Sequence, residues 1–244
     1  MSVASQSHDR FSTTRWSMVM QLASTEPPTA QNALTELAQR YWYPVYAYVR
    51  RCGHAPAIAQ DITRCFLNSL MRQFRDGHAL AADSHFRHYL LDQLNAFLGG
   101  DWRDDVEGDS ANELVAPADL ETRNQRDNAS ATSPEHAYQH SFALEIVARA
   151  LKRLRTEAQQ TGHLEMYRAL EPHLARDPGP GEYDALATQL QIRPLALVVA
   201  LKRLRQRFRE LVGQELADTV ISARDLATEQ RALHTILHDV QTRR

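Results

Sequence analysis

The stretch EYDALATQLQIRPLALVVALKRLRQRFREL, residues 182–211, decides how this chain is read. Its apolar residues recur at spacings of three and four, the period of a helix. A short helix is predicted over Tyr183–Leu190, then a break at Gln191, Ile192 and Arg193. Pro194 can open a longer helix, because the first helical position needs no N–H. Short helix, tight turn and long helix are the plan of a helix-turn-helix, whose second helix can enter a DNA major groove. In that second helix Val198, Leu201, Leu204, Phe208 and Leu211 are expected to be buried. Its other faces carry Lys202, Arg203, Arg205, Arg207 and Arg209, with Glu210 the only acid among them. Five positive charges within residues 202–209 are the kind of cluster that neutralises phosphates.

Helical periodicity extends through most of the remaining chain, while alternating strand patterns with hairpin turns are scarce. The fold expected is all-α. A first helical domain is read over residues 11–105 from TRWSMVMQL, ALTELAQRYWYPVYAYVRRC, HAPAIAQDITRCFLNSL and FRHYLLDQLNAFLGGDWRDD. Residues 106–133 have no sustained period and are rich in acids, which predicts a flexible acidic linker unable to offset its ordering entropy. Ser133, Pro134 and Glu135 look like a helix start. A second helical domain is expected over 134–220, and an amphipathic tail over 221–244.

The formal net charge of −2 does not describe a protein that coats nucleic acid by itself. No apolar run is long enough to span a bilayer, and the N-terminal residues lack the order of a signal peptide. A cytoplasmic location is therefore expected. Cys52 and Cys65 have no metal-type spacing and are read as reduced, buried thiols. His85 and His88 are three apart, as helical metal ligands can be, but no third ligand stands at informative spacing. With no phosphate-cradling glycine loop and no nucleophile motif, neither an enzyme, a cofactor nor a metal is expected. In the first domain Phe86, Tyr89 and Phe97 are expected core residues. Trp102 follows a Gly-Gly break and is a better candidate, with Asn95 and Arg103, for stacking on and reading unpaired bases.

Taken in order, TTRWSMVMQL, LAQRYWYPVYAYVRR, FRHYLLDQLNAFL and YDALATQLQIRPLALVVALKRLRQRFREL resemble bacterial extracytoplasmic-function sigma factors, over about residues 11–216. The closest likeness is to the branch that begins with a threonine–arginine–tryptophan segment. The resemblance implies that the first domain docks on the clamp coiled coil of core RNA polymerase and melts the −10 element of promoter DNA. It implies that the second domain reads the −35 element. On this basis Asn95, Trp102 and Arg103 are expected at the melted −10 strand. Arg193, Lys202, Arg203, Gln206 and Arg207 are expected at −35 DNA, since Val199 and Ala200 stand where relatives carry polar or basic side chains.

The segment 54–70 departs from that pattern. Relatives carry several acids there that meet the basic clamp, whereas this chain has Ala57, Ile58, Gln60, Arg64 and Cys65, and keeps only Asp61. The polymerase-binding set is then Gln60, Asp61, Thr63 and Arg64, and binding as written is expected to be weak. Thr63 lies at the edge of the apolar stripe formed by Ile58, Ile62, Phe66 and Leu70. A phosphothreonine beside the depleted face would restore charge of about −1.5 to −2. Thr63 is accordingly expected to be a phosphorylation switch, with a Ser/Thr protein kinase as the implied partner. The alternative is a degenerate sigma-like protein that binds DNA or a regulator without recruiting polymerase.

Overall fold

The computed structural model describes residues 27–75, 86–104, 114, 116–217 and, in the tail, 226–228, 230, 231, 233 and 235. The segment TRWSMVMQL and His85 lie outside these residues. Every regular element described is a helix: α1 Pro27–Arg51, α2 Pro56–Arg75, α3 Phe86–Gly99, α4 Leu120–Asp127, α5 Pro134–Gln160, α6 Leu164–Leu170, a 3-10 turn Glu171–His173, α7 Glu182–Gln189 and α8 Pro194–Ala217. The fold is all-α. The chain divides into two compact units, one comprising the described residues up to Glu145 and from Leu216 on, the other Ile146–Glu215.

The first unit is organised around α1. Residues 41–49, YWYPVYAYV, are buried on every side, as a helix enclosed by neighbours must be. Tyr41 meets Phe86 of α3 edge-on at 5.2 Å and stacks on Phe142 of α5 at 6.0 Å. From α2, the side chains of Ala59, Ile62, Cys65, Phe66, Leu67 and Leu70 are buried. Cys65 therefore does not stand on the outer face of α2, and neither does Asn68. Ile58, assigned to the apolar stripe by its spacing, is instead 43% exposed. Cys52, expected to be buried, is exposed in the turn after α1.

The expected linker is also corrected. Residues 120–127 form helix α4, and its polar side chains bond to α1 and α5. Arg50 clasps the Glu121 carboxylate with two contacts of 2.7 Å, and Tyr46 donates to it at 2.6 Å. Tyr43 donates to Asp127 at 3.0 Å, and the Arg123 guanidinium lies 3.8 Å from the centre of the Tyr43 ring. Arg123 also pairs with Glu145 at 2.5 Å. Asn128, just after α4, is buried and donates to Ser141 at 2.9 Å. An acidic, arginine-bearing segment without an apolar stripe can be held by charge-assisted bonds alone, which hydrophobic periodicity does not register.

Helix α5 starts where expected, with the Ser133 hydroxyl accepting the His136 N–H at 3.1 Å. The boundary between units does not fall there but inside the helix, between Glu145 and Ile146. Its first turns bury Ala137, Tyr138 and Phe142 in the first unit, while Ala150, Leu154 and Ala158 join Tyr167 and Leu211 in the core of the second. One unbroken apolar stripe serves two cores, so its period gives no sign of the change.

Candidate nucleic-acid interface

In the second unit the chain turns by 95° between α7 and α8. The turn is closed by backbone bonds from Ile192 N–H to the Ala187 carbonyl at 3.0 Å and from Gln191 N–H to the Thr188 carbonyl at 3.2 Å. These are the two bonds of a Schellman end, with Gln191 in the left-handed position at φ 54°. Leu197 and Leu201 anchor α8 on Leu170 and Ala187. Val198, predicted inside, is 44% exposed, and Leu197 takes the inward place at 0%.

The basic residues of α8 fall into two sets. Arg205 donates to the carbonyls of His173 and Arg176 and to Asp177, at 2.6 to 3.1 Å, and so secures the chain that follows α6. Arg207 forms a two-pronged pair with Glu157 of α5, both contacts 2.8 Å, and reaches Glu210 at 3.0 Å. Its guanidinium holds both carboxyls below their ordinary range, and they raise its own pKa in turn. Gln206 is tied to Glu210 at 3.1 Å and to Arg209 at 2.9 Å. Arg193, Lys202 and Arg203 are exposed and have no side-chain partner among the described residues. Of the five residues expected at −35 DNA, these three have free cationic heads. Gln206 and Arg207 are engaged within the protein.

Beside this surface lies an apolar groove of about 780 Å³ whose walls include Leu154, Tyr167, Leu195, Val199 and Leu204, with Arg193 and Arg203 among the residues lining it. The first turns of α8 display Leu195 at 76% and Val199 at 42% exposure, aliphatic groups that offer no hydrogen bond to a base edge. The sequence pointed to Val199 but not to Leu195 or to the groove.

In the first unit, Trp102 is half-buried in a short helical turn after α3. Its indole meets the His54 ring perpendicularly at 5.3 Å, and the Arg103 guanidinium lies 4.7 Å from its centre. Asn95 is exposed on α3, and its side-chain oxygen accepts the Tyr48 hydroxyl at 2.5 Å. Burial and the carboxyl of Glu135 push that phenol up to about 12. Trp102 and Arg103 are thus brought together, while Asn95 belongs to a separate contact. His54 was not singled out by its sequence context, because a loop histidine carries no periodic signal.

On α2, Gln60, Asp61 and Arg64 are half-exposed, and Asp61 pairs with Arg64 at 3.0 Å. The remaining acid of this face is therefore charge-compensated by its own neighbour. Thr63 is 0% exposed, and its hydroxyl donates to the Ala59 carbonyl at 2.7 Å. The picture of a phosphate projecting beside the depleted face is corrected: the side chain points inward, in the usual back-bonding geometry of a helical threonine. A kinase reaches it only if α2 opens.

Among the described residues no three histidines, cysteines or carboxylates gather as a metal site, and no single helix is long and apolar enough to cross a membrane. No family model, curated protein or solved structure matches the chain.

Proposed function

We propose that this chain is a sigma factor of the extracytoplasmic-function type, which directs core RNA polymerase to promoter DNA. The observation that carries the reading is the pair α7 and α8, bent by 95°, with Arg193 exposed at the turn and Lys202 and Arg203 exposed about two turns along α8. That angle falls in the range of helix-turn-helix motifs, and the cations supply phosphate or base-edge contacts for the second helix. Trp102 and Arg103 give a second, aromatic and cationic surface suited to unpaired bases. The acid-poor face of α2 makes docking on a basic polymerase clamp weak. Phosphorylation of Thr63 belongs to this reading only as a modification of an opened α2.

The reading is tested by transcription from a promoter template with purified core polymerase, comparing the unmodified chain with Arg203→Ala and Arg207→Ala. Arg203→Ala should lose about 1–3 kcal/mol of promoter binding if it reads a base edge. Arg207→Ala should instead loosen the Glu157 contact and lower the melting temperature. Absence of any polymerase-dependent transcript, with DNA binding intact, favours the second reading, a DNA- and regulator-binding protein that does not recruit polymerase. The apolar groove beside Arg193 and Arg203 is the observation on its side.

A further inference from the structure

Arg50, in the last turn of α1, uses its whole guanidinium. Nε and Nη2 each lie 2.7 Å from a different oxygen of Glu121, and Nη1 donates to the backbone carbonyl of His54. Arg50 therefore joins helix α4 to the loop between α1 and α2. That loop turns sharply, with Gly53 at φ +100°, a conformation that side chains rarely adopt. His54 follows directly, and its ring is the one set against Trp102 at 5.3 Å and 89°. Arg103 covers the same indole at 4.7 Å. Glu121, Arg50, His54, Trp102 and Arg103 thus form one unbroken line of contacts within the first unit.

A guanidinium suits the branching point of such a line. Its planar fork occupies both oxygens of a carboxylate and leaves a donor pointing elsewhere in a fixed direction, which the single ammonium of lysine cannot do. Glu121 fixes the plane of the fork, the remaining donor holds the His54 carbonyl and so the backbone from which the ring projects, and the ring packs on Trp102. A partly exposed indole held by two neighbours presents a base with one prepared orientation, and less ordering remains to be done on binding.

We propose that Arg50 and His54 are positioning residues for a base-stacking platform made by Trp102 and Arg103, and that helix α4 sets this platform through Glu121. The ligand class is an unpaired base of single-stranded DNA. The inference rests on the reading above in taking Trp102 as a DNA contact, but the line of contacts can be tested without DNA.

The experiment uses the full chain labelled with fluorotryptophan, with the Trp102 resonance assigned by Trp102→Phe. Arg50→Lys, Glu121→Gln, His54→Ala and His54→Phe are compared by fluorine NMR, by melting temperature and by affinity for a fluorescein-labelled single-stranded oligonucleotide at fixed salt. The Trp102 resonance should shift or broaden in the first three variants, and affinity should fall about three- to tenfold, with His54→Phe restoring both. The exchange Arg50→Glu with Glu121→Arg separates positioning from mere attachment of α4. It restores the ion pair and hence the melting temperature, but a carboxylate at position 50 cannot donate to the His54 carbonyl, so the Trp102 signal stays altered. A Trp102 resonance unchanged in Arg50→Lys and Glu121→Gln overturns the proposal, as does full recovery of that signal in the exchanged pair. If Arg50→Lys does not fold, Glu121→Gln and His54→Ala decide it by the same criteria. If Trp102→Ala binds the oligonucleotide normally, the reading of Trp102 as a DNA contact fails, while the NMR result still judges the line of contacts.

Discussion

Gln191 holds a left-handed backbone that glycine adopts at much lower cost, and it does so in the turn that orients α8. An L-residue in this conformation gives up roughly 1–2 kcal/mol, while glycine costs about 0.5–1 kcal/mol in unfolded-chain entropy. Gln191→Gly is therefore expected to raise stability by about 0.5–1 kcal/mol, seen as a higher melting temperature with DNA affinity unchanged. A lower melting temperature would show that the glutamine side chain supports the turn. Thr63 gives a second residue-scale expectation. The Ala59 carbonyl already accepts a helical N–H, so Thr63→Val removes the extra hydroxyl bond without orphaning a partner. It should cost within about 1 kcal/mol. Thr63→Glu buries a carboxylate at a fully enclosed position and should cost several kcal/mol. Chemical denaturation of the two variants distinguishes them, and a stable, cooperative Thr63→Glu protein would mean that α2 opens readily. The inward direction of Thr63 was not legible in the sequence, because a residue at the edge of an apolar stripe can turn either way.

At the scale of the element, α4 is the helix most dependent on charge. Of its residues only Leu120 is buried, and the rest is held by arginines and phenols. The guanidinium of Arg50 and the hydrogen bond from Tyr46 bring the Glu121 carboxyl down to about 2 against burial, from an ordinary 4.5. A depressed carboxyl contributes its full stability above its unfolded value and loses it as pH falls through the folded one. The contribution should therefore be complete above about pH 5 and disappear towards pH 2, and after solvent screening it amounts to about 1–2 kcal/mol. Amide hydrogen exchange over residues 120–127, taken relative to the intrinsic rate at each pH, should accelerate across that window in the unmodified chain. In Glu121→Gln it should already be fast at neutral pH, and equal protection in both proteins would exclude the ion pair as the fastening. Helices such as α2, α3 and α8 were legible from apolar spacing, which reports burial. α4 was not, because its fastening lies in specific pairs far apart along the chain, most of them more than seventy residues apart, such as Arg50 and Glu121. The basic run of α8 was visible for a related reason, yet its division was not. Arg205 and Arg207 look like Lys202 and Arg203 until their acceptors on other segments are known.

For the whole molecule, a net charge of −2 and three cations without a side-chain partner among the described residues, one at the α7–α8 turn and two along α8, limit what the free chain can do with DNA. If Arg193, Lys202 and Arg203 each neutralise a phosphate, the logarithm of the duplex binding constant should fall against the logarithm of salt with a slope of about −3. A slope near −5 in a fluorescence anisotropy titration would mean that further arginines of α8, Arg209 or Arg205 and Arg207 released from their partners, join the interface. The Asp61–Arg64 pair has a consequence of another kind. On the proposed reading this chain draws on a pool of core polymerase shared with rival factors, and the share each obtains follows its concentration divided by its dissociation constant. A clamp-facing surface that has neutralised its own acid enters that competition handicapped. Such a factor stays silent at ordinary copy number and gains promoters only when it becomes abundant or its rivals are withdrawn.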